Sequence, residues 1–154
     1  MVRVARVSAE VTYPLRQRVL RPHQTVTTVG FPGDDDPRTG TYAALTADGE
    51  IVGTATVHPE PCPWRPSEDT AWRLRAMATT PETRGHGVGA AVLAAAMAHV
   101  AEAGGTLVWC TARTPVQGFY ERAGFHPHGE PWEEPMIGPH IRMWRAVASG
   151  SATP

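Results

Sequence analysis

Gly85, Gly87 and Gly89 alternate along RGHGVGAA (residues 84–91), directly ahead of an alanine-rich run. A glycine turn that opens a helix leaves several backbone N–H groups unpaired and free of side-chain obstruction, and the helix start adds partial positive charge. That chemistry suits a phosphate. A nucleoside triphosphate loop would continue Gly-Lys-Ser/Thr, whereas Ala90 and Ala91 follow here. A dinucleotide fingerprint stays open in form, because Gly85, Gly87 and Ala90 satisfy G-x-G-x-x-A. Against it, TTPET separates the turn from its strand, and the next strand, TLVWCTA, ends without an acidic residue.

Other residues could move protons. Tyr120 shares the face Val116, Phe119, Ala123 of a helix expected over 115–123, where it is either a core tyrosine or a phenol able to protonate a leaving group. Glu133, Glu134 and His140 could accept the proton of an attacking amine, the alternatives being a solvated loop for the glutamates and a satisfied strand histidine. Arg73 and Arg75 alternate with Leu74 and Ala76 and so share one strand face, where they are acceptor-side residues, Arg75 the candidate, or else a solvated edge or salt-bridged pair. Cys110 lies in an apolar run with no adjacent histidine and reads as an inert strand thiol. His126 and His128 lack nearby co-ligands, so no metal site is expected, and Asp34–Asp36 read as a solvated turn.

These residues need elements to position them. VRVARVS alternates as an edge strand, and Ser8 could cap a helix over residues 9–20. Residues 21–40 read as a loop with room for one short helical turn; TYAALTA and EIVGTATVHP form a hairpin about Asp48-Gly49. After the loop PEPCPWRPSED come the strand AWRLRAMAT, the glycine turn, and a helix GAAVLAAAMAHVAEA stopped by Gly104-Gly105. TLVWCTA is a further strand. Thr114-Pro115-Val116-Gln117 has the pattern of a capping box for a helix ending at Gly124; residues 126–140 read as loop, and HIRMWRAV as the last strand. The order β-α-β-β-β-α-β-α-β predicts one α/β sheet of mixed strand direction.

Composition narrows the partners. The 154 residues carry Lys+Arg 14 against Asp+Glu 15, without the positive excess that phosphate-backbone binding requires, so no nucleic acid partner is expected. No apolar run approaches a membrane span and the N-terminus lacks a signal-peptide core, which predicts a cytoplasmic protein without membrane attachment. Two cysteines, Cys62 and Cys110, read as free thiols, and 15 prolines predict stiffened loops.

Arg84-Gly85-His86-Gly87-Val88-Gly89 matches Arg/Gln-x-x-Gly-x-Gly/Ala, the acyl-CoA pyrophosphate loop of the GNAT superfamily of N-acetyltransferases. The preceding MATTPETRG resembles that family's strand-Pro-Glu-x-Arg-Gly approach, and GFYERAGF (118–125) resembles the Phe-Tyr-Glu-x-x-Gly-Phe signature of its last helix. The motif order covers residues 41–125. YPLRQRVLRP and GEPWEEPMIGPHIRM resemble the Leu-Arg-x-x-Val segment and the Ile-x-x-His-Ile-x-Met ending of the ElaA-like branch.

The resemblance implies a GNAT-type α/β fold: a mixed, mostly antiparallel central sheet with helices on both faces and strands splayed at the acyl-CoA site. Residues 1–148 would form a single domain and 149–154 a disordered tail. It implies acetyl-CoA as co-substrate. Arg84 and the backbone of Gly85, His86, Gly87, Val88, Gly89 and Ala90 would hold its phosphates, and the backbone of Met77, Ala78 and Thr79 its pantetheine arm, one N–H polarising the acetyl carbonyl. Tyr120 would protonate the departing thiolate, with Glu134 and His140 on the acceptor side. Arg113 stands where many of these enzymes have asparagine, so it either reaches an anionic acceptor or a CoA phosphate, or is solvated at the helix entrance. The expected activity is acetyl transfer to a small-molecule or peptide amine by direct attack in a ternary complex, from a monomer or homodimer. The alternatives are a non-catalytic acyl-CoA sensor of the same fold and, through the glycine pattern alone, a nicotinamide enzyme.

Overall fold

The computed structural model describes residues 2–148; the tail expected over 149–154 lies outside them. Seven strands hydrogen-bond in the order β1-β2-β3-β4-β5-β7-β6, and all the adjacent pairs specified below are antiparallel except β4 with β5. The described residues fold as two compact units, one made of residues 2–59 with Leu74–His99, the other of Glu60–Arg73 with residues 100–148.

In the first unit β1 (Arg3–Arg6) pairs with β2 (Gly40–Leu45), which pairs with β3 (Ile51–Pro59) across the predicted Asp48-Gly49 turn, where Gly49 has φ +83°. Period-2 alternation gives β3 two different faces. Gly53, Ala55 and Val57 form an apolar one, and helix α2 (Val88–Glu102) approaches it: a Cβ on Gly53 would stand 2.7 Å from Val88 Cγ1. Thr54, Thr56 and His58 form the other. Residues 9–20 cover it, but not as the single helix the apolar spacing predicts: a 3-10 turn (Ala9–Thr12), one α turn, α1 (Tyr13–Leu15), and a π turn (Arg16–Leu20). Ser8 makes no side-chain cap. The reason is Arg16, which is 2% exposed and aims its guanidinium into the protein at Asp34 and Thr56; the π turn is the local distortion at that point.

In the second unit the start of β4 (Ala71–Thr79) runs parallel to β5 (Leu107–Arg113) over Ala71–Arg73; β5 pairs with β7 (Gly138–Ala146), and β7 with β6 (His126–Glu134). One face of β5 and β7 is apolar: Val108, Cys110, Ala112, Ile141 and Met143 are all buried. The other carries Trp109, Thr111 and Arg113 opposite Trp144, Arg142 and His140. β6 corrects the reading of 126–140 as loop. Pro127, Pro131 and Gly129 hide the strand from propensity, but an edge strand tolerates proline, and a register shift between His128 and Trp132 absorbs the irregularity.

The predicted capping box is also corrected. Thr114 lies inside a 3-10 turn (Thr114–Val116) that leads into α3 (Gln117–Arg122), with no side-chain cap at either start. The end of α3 is more specific than its beginning. Gly124, at φ +92°, donates its N–H to Glu121 O and Phe125 donates to Tyr120 O, both at 3.0 Å, which is the Schellman motif.

Candidate active site

Helix α2 begins where the glycines end. Gly85 and Gly87 occupy the left-handed region at φ +86° and +80°, with nothing within 4 Å of the place a Cβ would take, so backbone amides stand open to a ligand there. Val88, buried at 4%, anchors the helix start against Gly53, and the N–H groups of Val88, Gly89 and Ala90 lie in the first turn, where a helix offers no internal acceptor. Arg84 and His86 are exposed; Arg84 Nη2 donates to Thr79 O at 3.4 Å, folding back toward β4. Arg18 pairs with Glu82 at 2.6 Å in the turn ahead of the loop.

β4 itself is bent. Ala76, mid-strand, has φ 56°, a region that costs an alanine about 1 kcal/mol or more, and a residue so placed swings neighbouring backbone groups out of ladder geometry. Met77, Ala78 and Thr79 follow this bend, in the same unit as the glycine loop.

In the second unit Tyr120 is buried at 6%, held edge-on against Phe125 (centroids 5.6 Å) and Phe119 (5.2 Å). It is the residue whose carbonyl closes the Schellman motif, so the signature FYERAGF is the geometry of that motif written in sequence: tyrosine, glycine in the left-handed region, and phenylalanine packed back on the tyrosine ring. Burial, reinforced by Cys110, pushes the Tyr120 phenol well above its ordinary range, against a smaller opposing pull from Arg113. Burial pushes the Cys110 thiol up to about 12, which leaves it neutral and unfit as a nucleophile. Arg113 is half-buried; burial lowers its pKa from the ordinary value, while Tyr120 acts in the other direction.

A sequence model of the acetyltransferase (GNAT) family matches residues 10–125. The chain belongs to the GNAT acetyltransferase family. It is an acyltransferase of that family, whose members use acyl-CoA. Among its relatives is the uncharacterized N-acetyltransferase YitI of Bacillus subtilis strain 168, 35% identical over 147 residues that make up 96% of this chain and 97% of that protein. Similar solved structures include Escherichia coli ElaA (TM-score 0.72, 21% identity, 94% of this chain and 99% of that one). Another is an acyl-CoA N-acyltransferase from Pseudomonas aeruginosa (TM-score 0.72, 22% identity, 95% and 100%).

The remaining GNAT candidates cluster on one sheet face of the second unit. His140, buried at 6%, faces Arg113 across β5–β7 and Trp132 across β7–β6. Its Nδ1 lies 2.9 Å from Gly138 O; a carbonyl can only accept, so Nδ1 carries the proton and Nε2 is the ring nitrogen left to take one. Glu134 Oε1 accepts from Trp132 Nε1 at 3.1 Å, so this carboxylate holds the tryptophan, and Glu133 falls on the opposite face, exposed. No described group of His, Cys, Asp and Glu could hold a metal, and no described helix is long and apolar enough to cross a membrane.

The sequence concealed Asp34. Far from a solvated turn, its carboxylate (4% exposed) takes Arg16 Nη1 and Nη2 at 2.8 and 3.0 Å, Phe31 N at 3.1 Å and Tyr13 Oη at 3.2 Å. Burial alone would raise its pKa, but the Arg16 hydrogen bonds and charge outweigh that and hold it low. The pair pins Phe31 between the Arg16 guanidinium (4.9 Å) and that of Arg75 (4.4 Å). Arg73, its predicted neighbour on the strand face, instead pairs with Glu60 at 3.0 Å.

Proposed function

We propose that this GNAT enzyme transfers the acetyl group of acetyl-CoA to an amine by direct attack in a ternary complex. The observation that carries this reading is the loop Gly85–Ala90, whose two left-handed glycines and helix-start amides suit a pyrophosphate. Arg84 adds a cation, and the backbone of Met77, Ala78 and Thr79, following the Ala76 bend, supports the pantetheine arm and polarises the acetyl carbonyl. His140 Nε2 takes a proton from the acceptor ammonium. The amine nitrogen then bonds to the thioester carbon, the C–S bond breaks, the Tyr120 phenol passes its proton to the leaving thiolate, and the phenolate recovers the second proton, which the new amide nitrogen sheds. A phenol raised by burial keeps that proton at neutral pH until the thiolate, a stronger base in a dry site than in water, demands it. Glu134 acts through Trp132 as a positioning residue. No acyl-enzyme forms, because neither cysteine is ionised or exposed.

The test is thiol release from acetyl-CoA across an amine panel, read beside the melting temperature with and without CoA. Tyr120→Phe is expected to lower kcat about 10²- to 10⁴-fold while keeping the CoA-induced stabilisation. A wild-type chain that CoA stabilises but that releases no thiol with any amine is the sensor instead, and one stabilised by NAD but not CoA overturns the family chemistry at this loop.

A further inference from the structure

Resting on the acyltransferase reading, the geometry points to the acceptor's class: the β7 face takes an amine bearing a carboxylate on the same or the adjacent carbon, Arg142 binding that carboxylate while the amine faces the His140 base. Along β7 the face reads in a fixed order. Gly138, paired with Glu134, is followed by His140, paired with Trp132, and then by Arg142, paired with His128. A negative group, an imidazole base and a positive group therefore stand in line at alternate strand positions, about 6.8 Å per step. A zwitterion whose amine and carboxylate are two or three bonds apart bridges one such step, its carboxylate on Arg142 and its amine at the His140 base, with the negative charge of Glu134 one step further on the amine's side.

Arg142 is shaped for this. Its guanidinium lies over the Trp132 ring at 4.9 Å, and Trp132 is itself held by the Nε1 bond to Glu134 and set against His140 at 6.0 Å. Packing over the ring restrains the guanidinium and leaves its N–H edge open, and that edge takes a carboxylate through two parallel bonds. Arg16, Arg18, Arg38 and Arg73 each have a carboxylate partner; among the described residues Arg142, exposed on an interior strand, has none. Arg113, across from His140 on β5, adds positive charge to the same face.

The experiment sets glycine, L-glutamate and L-phenylalanine against glycinamide, L-glutamic acid α-amide and L-phenylalaninamide, with O-phosphoethanolamine against ethanolamine as a separate arm. Acetyl-CoA turnover gives kcat/KM, and calorimetric titration into the CoA-loaded protein gives affinity. At least one free amino acid is expected to exceed its amide by about tenfold or more in kcat/KM. Arg142→Ala should erase that preference by slowing the acid and leaving the amide within about twofold, Arg142→Lys should restore part of it, and CoA-induced stabilisation should not change. Equal use of acid and amide by the wild type overturns the proposal. So does an equal loss on both in Arg142→Ala, discrimination confined to the phosphate arm, or no binding of any acid. Binding that discriminates acid from amide through Arg142, with no thiol released from any amine, keeps the site and removes the acyltransferase reading instead.

Discussion

Arg16 and Asp34 show how little a single residue's type reveals before its partner is known. Three aspartates in a row look solvated, yet the Asp34 side chain is 4% exposed because Arg16, eighteen positions earlier, reaches it with two nitrogens. A buried cation left without its carboxylate is costly, so Asp34→Asn is expected to lose about 3–5 kcal/mol of stability in urea unfolding, while Asp35→Asn, on the exposed neighbour, changes little. Equal effects from the two variants would contradict the buried pair. Tyr120 is the opposite case. Its position was legible because Gly124 and Phe125 specify one helix ending, and the chemistry then depends on where that ending holds the ring.

Elements were legible where one physical pattern dominated. The alternation of β3, the glycine stops and the alanine-rich α2 needed no tertiary partner to be recognised. Residues 9–20 and β6 did need one: the first bends around the buried Arg16, and the second is a strand only because β7 offers it a ladder that Pro127 and Pro131 barely use. The contact between β3 and α2 gives the element-scale prediction. Gly53→Ala would place a methyl 2.7 Å from Val88 Cγ1, pushing the helix start and the glycine loop it carries. A fall in stability of about 1–3 kcal/mol is expected, together with weaker CoA binding by titration; unchanged affinity would mean that the loop is independent of this packing.

At the scale of the molecule, burial shows in how stability answers to pH. Cys110 and Tyr120 are both raised in the folded state, chiefly by burial. A raised group stabilises the fold fully below its unfolded pKa, about 8.5 for a thiol and 10 for a phenol, and that contribution is lost as pH rises toward the folded value. The melting temperature should therefore fall steadily above pH ~8.5, and Cys110→Ala should flatten the first part of that fall. A flat profile to pH ~10.5 in the wild type would show that neither group is buried as described. Asp34 acts at the other end: its lowered pKa gives stability that is present above the ordinary carboxylate range and lost as pH falls through the folded value.

The two strands that end the sheet have a consequence for concentrated solutions. β1 is four residues long with Arg3 and Arg6 at its ends, and β6 offers an outer row interrupted by Pro127, Gly129 at φ +74° and Pro131. Each lacks the long, flat run of free amides that a second chain would need to add itself strand by strand. Crowding such molecules together brings charged or proline-broken rims into contact, and neither described edge offers a template from which a filament could grow.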